Sequence, residues 1–268
     1  MKLIGAEERL AEKRGLSALI VGPTGVGKTS LVATLSSETL SKMLYIDSEK
    51  GDFPVAHLQF DSVRLETWRD AMNLAAVIGG PNPALPQASA YSTAHYTQVA
   101  ADPEFARFAN YQTYVFDSLT AMSQLCRLYC EQLAEATTDR GKRDTRAVYG
   151  LLANHMLGWL RHVHHARGLN IILLAILERV VDDYNTPTWQ PQFEGRKTAN
   201  ELPVIVDEIL SMNFLDFGDG KQPVRGFVCT SPNPWNFPAK DRSGKLDMLE
   251  PPDLGKLLAK LTSSPSAT

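Results

Sequence analysis

Residues 16 to 30 read Leu16-Ser17-Ala18-Leu19-Ile20-Val21-Gly22-Pro23-Thr24-Gly25-Val26-Gly27-Lys28-Thr29-Ser30. An apolar run of strand length passes into a complete G-x-x-x-x-G-K-[ST] loop and then into a stretch that suits a helix, which is the context this motif requires. The glycines let the backbone curl so that successive N–H groups and the N-terminus of the next helix face an anion. Lys28 adds a mobile positive charge, and the Thr29 hydroxyl is placed to hold Mg²⁺. Everything from Gly22 to Ser30 is therefore a candidate phosphate-binding element.

Outward from this loop, apolar runs alternate with helical spacing. Ser30 to Leu40 reads as a helix, and Lys42-Met43-Leu44-Tyr45-Ile46-Asp47 as a short strand ending in acids. Val63-Arg64-Leu65 suggests a third strand, and Thr67 to Ile78 a helix closed by Gly79-Gly80-Pro81. Tyr114-Val115-Phe116-Asp117 is the next strand, followed by helices over Leu119 to Ala136 and Val148 to Arg167 and a buried strand from Asn170 to Leu177. Ile205 to Phe217 and Val224 to Thr230 read as strands joined by Gly218-Asp219-Gly220, a hairpin-like edge. A short helix is expected from Pro252 to Leu261. The pattern implies an α/β fold with a mainly parallel sheet flanked by helices and a C-terminal antiparallel edge.

With 268 residues, 44% of them hydrophobic, the chain can bury one large core, and a single domain over residues 1–261 is expected. Pro81 to Pro103 is rich in Pro, Ala, Ser, Thr and Gln and reads as an insertion or long loop, and 262–268 as a disordered tail. No run approaches the roughly 18 apolar residues of a membrane span. Glu7, Glu8 and Glu12 close behind Lys2 do not make a signal-peptide pattern, which points to the cytoplasm. Cys126, Cys130 and Cys229 are too few for a disulfide scaffold and lack partners at zinc spacing. His155, His162, His164 and His165, on one amphipathic helix without acid or cysteine partners, read as packing or surface residues. The net charge of -3 means that any contact with nucleic acid must be local.

Asp117, at the tip of an apolar strand downstream of the phosphate loop, is placed to fix a metal-bound water. Ser118 follows it where many nucleotide-hydrolysing enzymes carry a glutamate, so the general base must come from elsewhere. Glu49, in Ile46-Asp47-Ser48-Glu49-Lys50-Gly51, follows the strand expected beside the phosphate-loop strand and could polarise a water. By residues alone, a solvated acid at a strand end is an equal reading.

A phosphate loop, a strand ending D-x-E about twenty residues on, and a hydrophobic strand ending D-S together resemble the RecA/Rad recombinase core. Phe193-Glu194-Gly195-Arg196-Lys197, Glu201-Leu202-Pro203 with Asp207-Glu208-Ile209, and Pro238-Ala239-Lys240-Asp241-Arg242-Ser243-Gly244 look like phage and prophage RecA-like ATPases. That group includes the Sak-type single-strand annealing proteins. The resemblance covers most of residues 16 to 261 and leaves out Pro81 to Pro103. It implies a RecA-like P-loop ATPase using ATP and Mg²⁺, with Glu49 as catalytic base and Thr29 and Asp117 at the metal. It further implies that Lys240 and Arg242 reach into a neighbouring subunit's site, hence a homo-oligomer, ring or filament, in a bacterial host cytoplasm. Where recombinases carry a polar phosphate sensor, this chain has Glu178-Arg179; Glu178 is a sensor, a second acid near the nucleotide, or the polar end of a buried strand.

Two irregular segments fall where such proteins place DNA-contacting loops. The first, Asp139 to Arg146, carries Arg140, Lys142, Arg143 and Arg146. The second, Asp182 to Lys197, offers Tyr184, Trp189 and Phe193 followed by Arg196 and Lys197. Cations for phosphates and aromatic faces for bases make a single-strand site without sequence readout. The expected function is ATP hydrolysis stimulated by single-stranded DNA in annealing or strand exchange, with a single-strand binding protein as a further partner. Two other readings stay open: an ATP-gated assembly module for a replication or repair partner, and a small-molecule P-loop kinase.

Overall fold

The computed structural model describes residues 3–11, 15–166, 168–181, 185–218 and 220–263. One sheet organises the chain. Its parallel part is β3 (Asp61–Arg64), β2 (Met43–Asp47), β4 (Thr113–Asp117), β5 (Asn170–Val181), β1 (Ser17–Gly22) and β7 (Glu208–Leu215), in that spatial order. β8 (Val224–Val228) pairs antiparallel with β7, and β10 (Leu249–Glu250) with β8; β9 (Lys240–Asp241) pairs with the start of β7. The expected mainly parallel sheet with an antiparallel C-terminal edge is what forms. β2 does not lie beside β1, contrary to the expectation for the strand before Glu49: β5 and β4 intervene. Parallel strands need crossover connections, so sequence adjacency does not impose spatial adjacency.

All of β1 is buried, and its side chains alternate between two cores as the two-residue period demands. Leu19 and Val21 join one core with α3 (Trp68–Gly79), α6 (Leu119–Cys130) and α7 (Thr145–His164), whereas Ala18 and Ile20 face the 29–40 segment and α9 (Leu254–Thr262). The first core is centred on Trp159, which is fully buried and donates its indole N–H to Ala71 O at 2.9 Å. Phe116 meets it edge-on at 5.0 Å.

Several element boundaries differ from the sequence reading. Residues 30–40 do not make one helix but a 3₁₀ segment, Thr29–Thr34, and a short α2 (Ser37–Leu40). Thr34 bonds its hydroxyl to Leu31 O and Ser36 accepts from Thr39 N, so side chains compete with the ladder and restart it. The 81–103 stretch is partly structured. It carries α4 (Thr93–Ala100), buries Tyr91 and Val99, and stacks Tyr91 on His162 at 4.3 Å; α5 (Pro103–Ala106) follows. β5 runs on to Val181 and folds back with β6 (Pro187–Pro191), where an irregular segment was expected. Ile205 ends a helix, α8 (Arg196–Ile205), rather than opening a strand. An N-terminal α1 (Ala6–Ala11) precedes the sheet. Tyr184, Asp219 and residues 264–268 of the expected tail lie outside the described residues. Among the described residues no helix is long and apolar enough to cross a membrane.

Candidate functional site

The phosphate loop leaves the C-terminal end of β1, where the tips of the parallel strands open a crevice. Gly22 has to be glycine, because a Cβ there would stand 2.5 Å from Met212 O. Gly25 and Gly27 adopt φ of +79° and +96°, a region that favours glycine. Lys28 Nζ donates to the loop's own carbonyls, Gly22 O at 2.8 Å and Pro23 O at 3.1 Å. Burial lowers the Lys28 pKa, while the carboxylates of Asp117 and Glu49 draw it back up, so all three charges share one site.

Asp117 is nearly buried at the tip of β4. The Thr29 hydroxyl donates to its Oδ2 at 2.6 Å, and the Tyr45 phenol donates to the same oxygen at 2.7 Å. Its Oδ1 makes no hydrogen bond to the described residues. A hydroxyl and a carboxylate this close, both hard oxygen donors, suit Mg²⁺. Tyr45 was not singled out in the sequence, since Met43-Leu44-Tyr45-Ile46 reads as plain core. Burial foremost, then the neighbouring Asp117 carboxylate, pushes its phenol pKa well above the usual range.

Glu49 reaches this site across the tip of β4. Asp47 and Asp117 are level in register, and Asp47 Oδ1 accepts from the N–H groups of Glu49 at 3.0 Å and Gly51 at 3.3 Å, fixing the turn. Ser48 Oγ donates to Ser118 O at 2.9 Å and accepts from Ser118 N at 2.9 Å. The Ser118 hydroxyl donates to Glu49 Oε1 and also caps α6 by accepting from Ala121 N at 3.2 Å. Ser118, where a glutamate was the more usual expectation, thus holds the acid supplied from β2.

Lys240 and Arg242 are not brought to this chain's phosphate loop. Lys240 is level with Ile209, Ile209 with Leu19, and Asp241 with Glu208. They stand toward the opposite end of the sheet, three to four residues or roughly 10–13 Å from Gly22 along β1. Lys240 Nζ donates to Pro203 O at 2.8 Å and Val206 O at 2.7 Å; Arg242 donates to Asp207 Oδ1 at 2.8 Å and Val204 O at 3.3 Å. Within the chain these cations close the C-terminal end of α8, where cations are favoured.

Arg140, Lys142, Arg143 and Arg146 are exposed around a turn closed by Thr138 N to Lys142 O at 2.8 Å. Arg143 pairs with Glu131 at 3.2 Å. Asp144 caps α7, accepting from Arg146 N and Ala147 N. Tyr149, in the first turns of α7, stands 3.3 Å from where a Cβ at Gly195 would lie, and a cavity of about 510 Å³ opens between Tyr149, Glu178, Gln190, Arg196, Lys197 and Thr198. Arg196 and Lys197 line this cavity, whereas Arg140, Lys142, Arg143 and Arg146 do not. Glu178 faces this cavity and accepts from Gln190 Nε2 at 3.0 Å. Trp189 is only partly exposed, because its ring packs against Phe237 at 5.3 Å; it is not the open stacking face the sequence suggested. All three cysteines are buried thiols, and among the described residues no cluster of three or more metal-ligating side chains occurs. His162 is buried in packing, as expected.

A family model described as an AAA domain matches residues 14–243. No curated protein matches the chain. Among solved structures, the RadB recombinase is similar over 81% of this chain and 81% of its own, with 16% identity and a TM-score of 0.33. The pCW3 conjugation coupling protein TcpA, in its monomer form with ATPgS, is similar over 75% of this chain and 50% of its own, with 13% identity and a TM-score of 0.37.

Proposed function

The chain belongs to this AAA-domain family of P-loop ATPases, and from that premise we propose that it is a RecA-like, Sak-type protein of phage or prophage recombination. In this reading one ATPase domain over residues 1–261 hydrolyses ATP on single-stranded DNA to promote annealing or strand exchange. What carries the nucleotide chemistry is the convergence of Lys28, Thr29, Asp117 and Glu49 at the strand tips. Residues Gly22 to Ser30 hold the phosphates. Thr29 and Asp117 would hold Mg²⁺, which when bound offsets the phosphate charge. Glu49, aimed by Ser118, takes the proton of the attacking water. Lys240 and Arg242 act in a neighbouring subunit's site, which requires that they leave the α8 carbonyls; a ring or filament supplies that neighbour.

The DNA part of the reading is supported by the cavity between the N-terminal turns of α7 and α8. α8 begins at Gly195 without a side-chain cap, with Arg196 and Lys197 in its first turn. A helix start that lacks a side-chain cap and carries cations favours a phosphate backbone, and the exposed Arg140, Lys142, Arg143 and Arg146 before α7 add further positive charge. Trp189 contributes an edge rather than a full face.

The test is ATP hydrolysis with and without single-stranded DNA across a salt series, using wild type, Lys28→Ala and Glu49→Gln. Stimulation that salt weakens, absent from both variants, is the expected result. Hydrolysis that ignores DNA at low salt, yet is abolished by Lys28→Ala, would instead favour the ATP-gated assembly module.

A further inference from the structure

On the side of the phosphate loop away from Asp117 stands the β7–β8 hairpin. Val21 is level with Ser211, so Asn213, Phe214 and Leu215 run past the end of β1 to the height of the loop. Arg225 lies directly opposite Phe214 in the antiparallel pair, and opposed side chains share a face of the sheet. That face is set by Leu210, Met212 and Phe227, which are buried in the same core as Val26 of the loop. Phe214 and Arg225 are the members of this face that lie beyond the core, both exposed.

The guanidinium of Arg225 consequently turns onto the loop. Its Nη1 is 3.5 Å from Val26 O, and a Cβ at Gly27 would stand 2.7 Å from it. Gly27 thus serves two ends: it permits the positive φ, and it leaves the space the guanidinium enters. Among the described residues no carboxylate pairs with Arg225, and the bond to Val26 O is its single hydrogen bond, at the long limit. The guanidinium therefore lies against the Val26–Gly27 segment of the phosphate loop, whose N–H groups are of the same positive sign. A guanidinium with no carboxylate partner beside such N–H groups is balanced by an anion with several acceptor oxygens, which a planar five-donor group matches well.

We propose that Arg225 is a nucleotide ligand, binding the phosphate tail of the nucleoside triphosphate from the Gly27 side within the same chain. The inference rests on the nucleotide-binding reading of the loop and is independent of DNA. Loss of a charge-assisted bond to phosphate lowers affinity by about tenfold or more. Arg225 binds phosphate oxygens, so the loss extends to a ligand that has no base or sugar.

The experiment is calorimetric titration of wild type, Arg225→Ala, Arg225→Lys and Lys28→Ala with ATP and with inorganic tripolyphosphate, in the presence of Mg²⁺. Lys221→Ala, removing a cation near the tip of the same hairpin, controls for general charge loss. Arg225→Ala is expected to weaken both ligands about tenfold or more, Arg225→Lys to recover part of the loss, and Lys221→Ala to bind as wild type. Urea midpoints within error of wild type for Arg225→Ala exclude misfolding, as expected for an exposed side chain. Unchanged binding of both ligands to Arg225→Ala, with Lys28→Ala impaired, overturns the inference alone. Weakened ATP binding with unchanged tripolyphosphate overturns the phosphate assignment, and failure of wild type to bind either ligand overturns the nucleotide-binding reading itself.

Discussion

Replacing Tyr45 by Phe removes one oxygen from the nucleotide site and leaves the ring. Tyr45 is fully buried, its ring meets Phe60 at 5.4 Å, and its hydroxyl bonds Asp117 Oδ2 at 2.7 Å. Phenylalanine keeps the packing, so the cavity contribution is small and the loss is that of the hydrogen bond. Bonds to a charged acceptor contribute about 1.5–3 kcal/mol, and Thr29 alone then serves the Asp117 oxygen. Tyr45→Phe is therefore expected to lower the unfolding free energy by about 1.5–3 kcal/mol at pH 7, measured by urea unfolding at 25 °C. The raised phenol pKa adds a second signature with a definite sign. Tyr45 stays protonated in the folded chain where an unfolded tyrosine ionises, so its stabilisation is complete below about pH 10 and declines above it. One proton of difference corresponds to about 1.4 kcal/mol per pH unit. The unfolded tyrosine is half ionised at about pH 10, so the wild type loses about 1 kcal/mol between pH 10 and 11 and the Phe variant does not, and the gap between them narrows there. A difference under about 0.5 kcal/mol at pH 7, the ordinary range for surface substitutions, or a gap that stays constant to pH 11, refutes the assignment of the Tyr45–Asp117 bond.

Trp159→Ala, which empties the centre of one core and leaves Ala71 O without its indole donor, is expected to lower stability by about 3–5 kcal/mol in urea unfolding. Asp144→Ala removes the cap that accepts from Arg146 N and Ala147 N and should cost about 0.5–2 kcal/mol, read in the same assay. Glu208 is buried beside Asp241, and burial foremost raises its pKa to about 8. The folded state holds this proton where the unfolded chain releases it, so Glu208 makes stability fall as pH rises from about 4.5 to about 8. Glu208→Gln should flatten that decline in a pH series of thermal unfolding; an unchanged slope would show that Glu208 ionises normally.

The phosphate loop was readable because its chemistry is local. A tight turn with positive φ at Gly25 and Gly27 demands those residues at that spacing, whatever the rest of the chain does. Asp117 and Glu49 were readable as acids at the ends of apolar strands, and their alternating partners fixed the sheet as mainly parallel. Helix limits were less so, because capping is decided by competition among nearby hydroxyls, as at Thr34 and Ser36.

What the sequence by itself determined is the α/β alternation, the phosphate-binding element and the acids able to serve it, since each follows from periodicity or from a backbone geometry written in consecutive residues. Tertiary structure alone decided which distant groups meet. Strand order set β5 and β4 between β1 and β2 and carried Glu49 to the site by way of Ser118. Register brought Tyr45 onto Asp117, Arg225 onto Gly27, and Lys240 and Arg242 to the far end of the sheet. Those pairings span from tens to about two hundred residues. They are settled by crossover connections and by the burial of two faces at once, neither of which leaves a pattern in neighbouring residues.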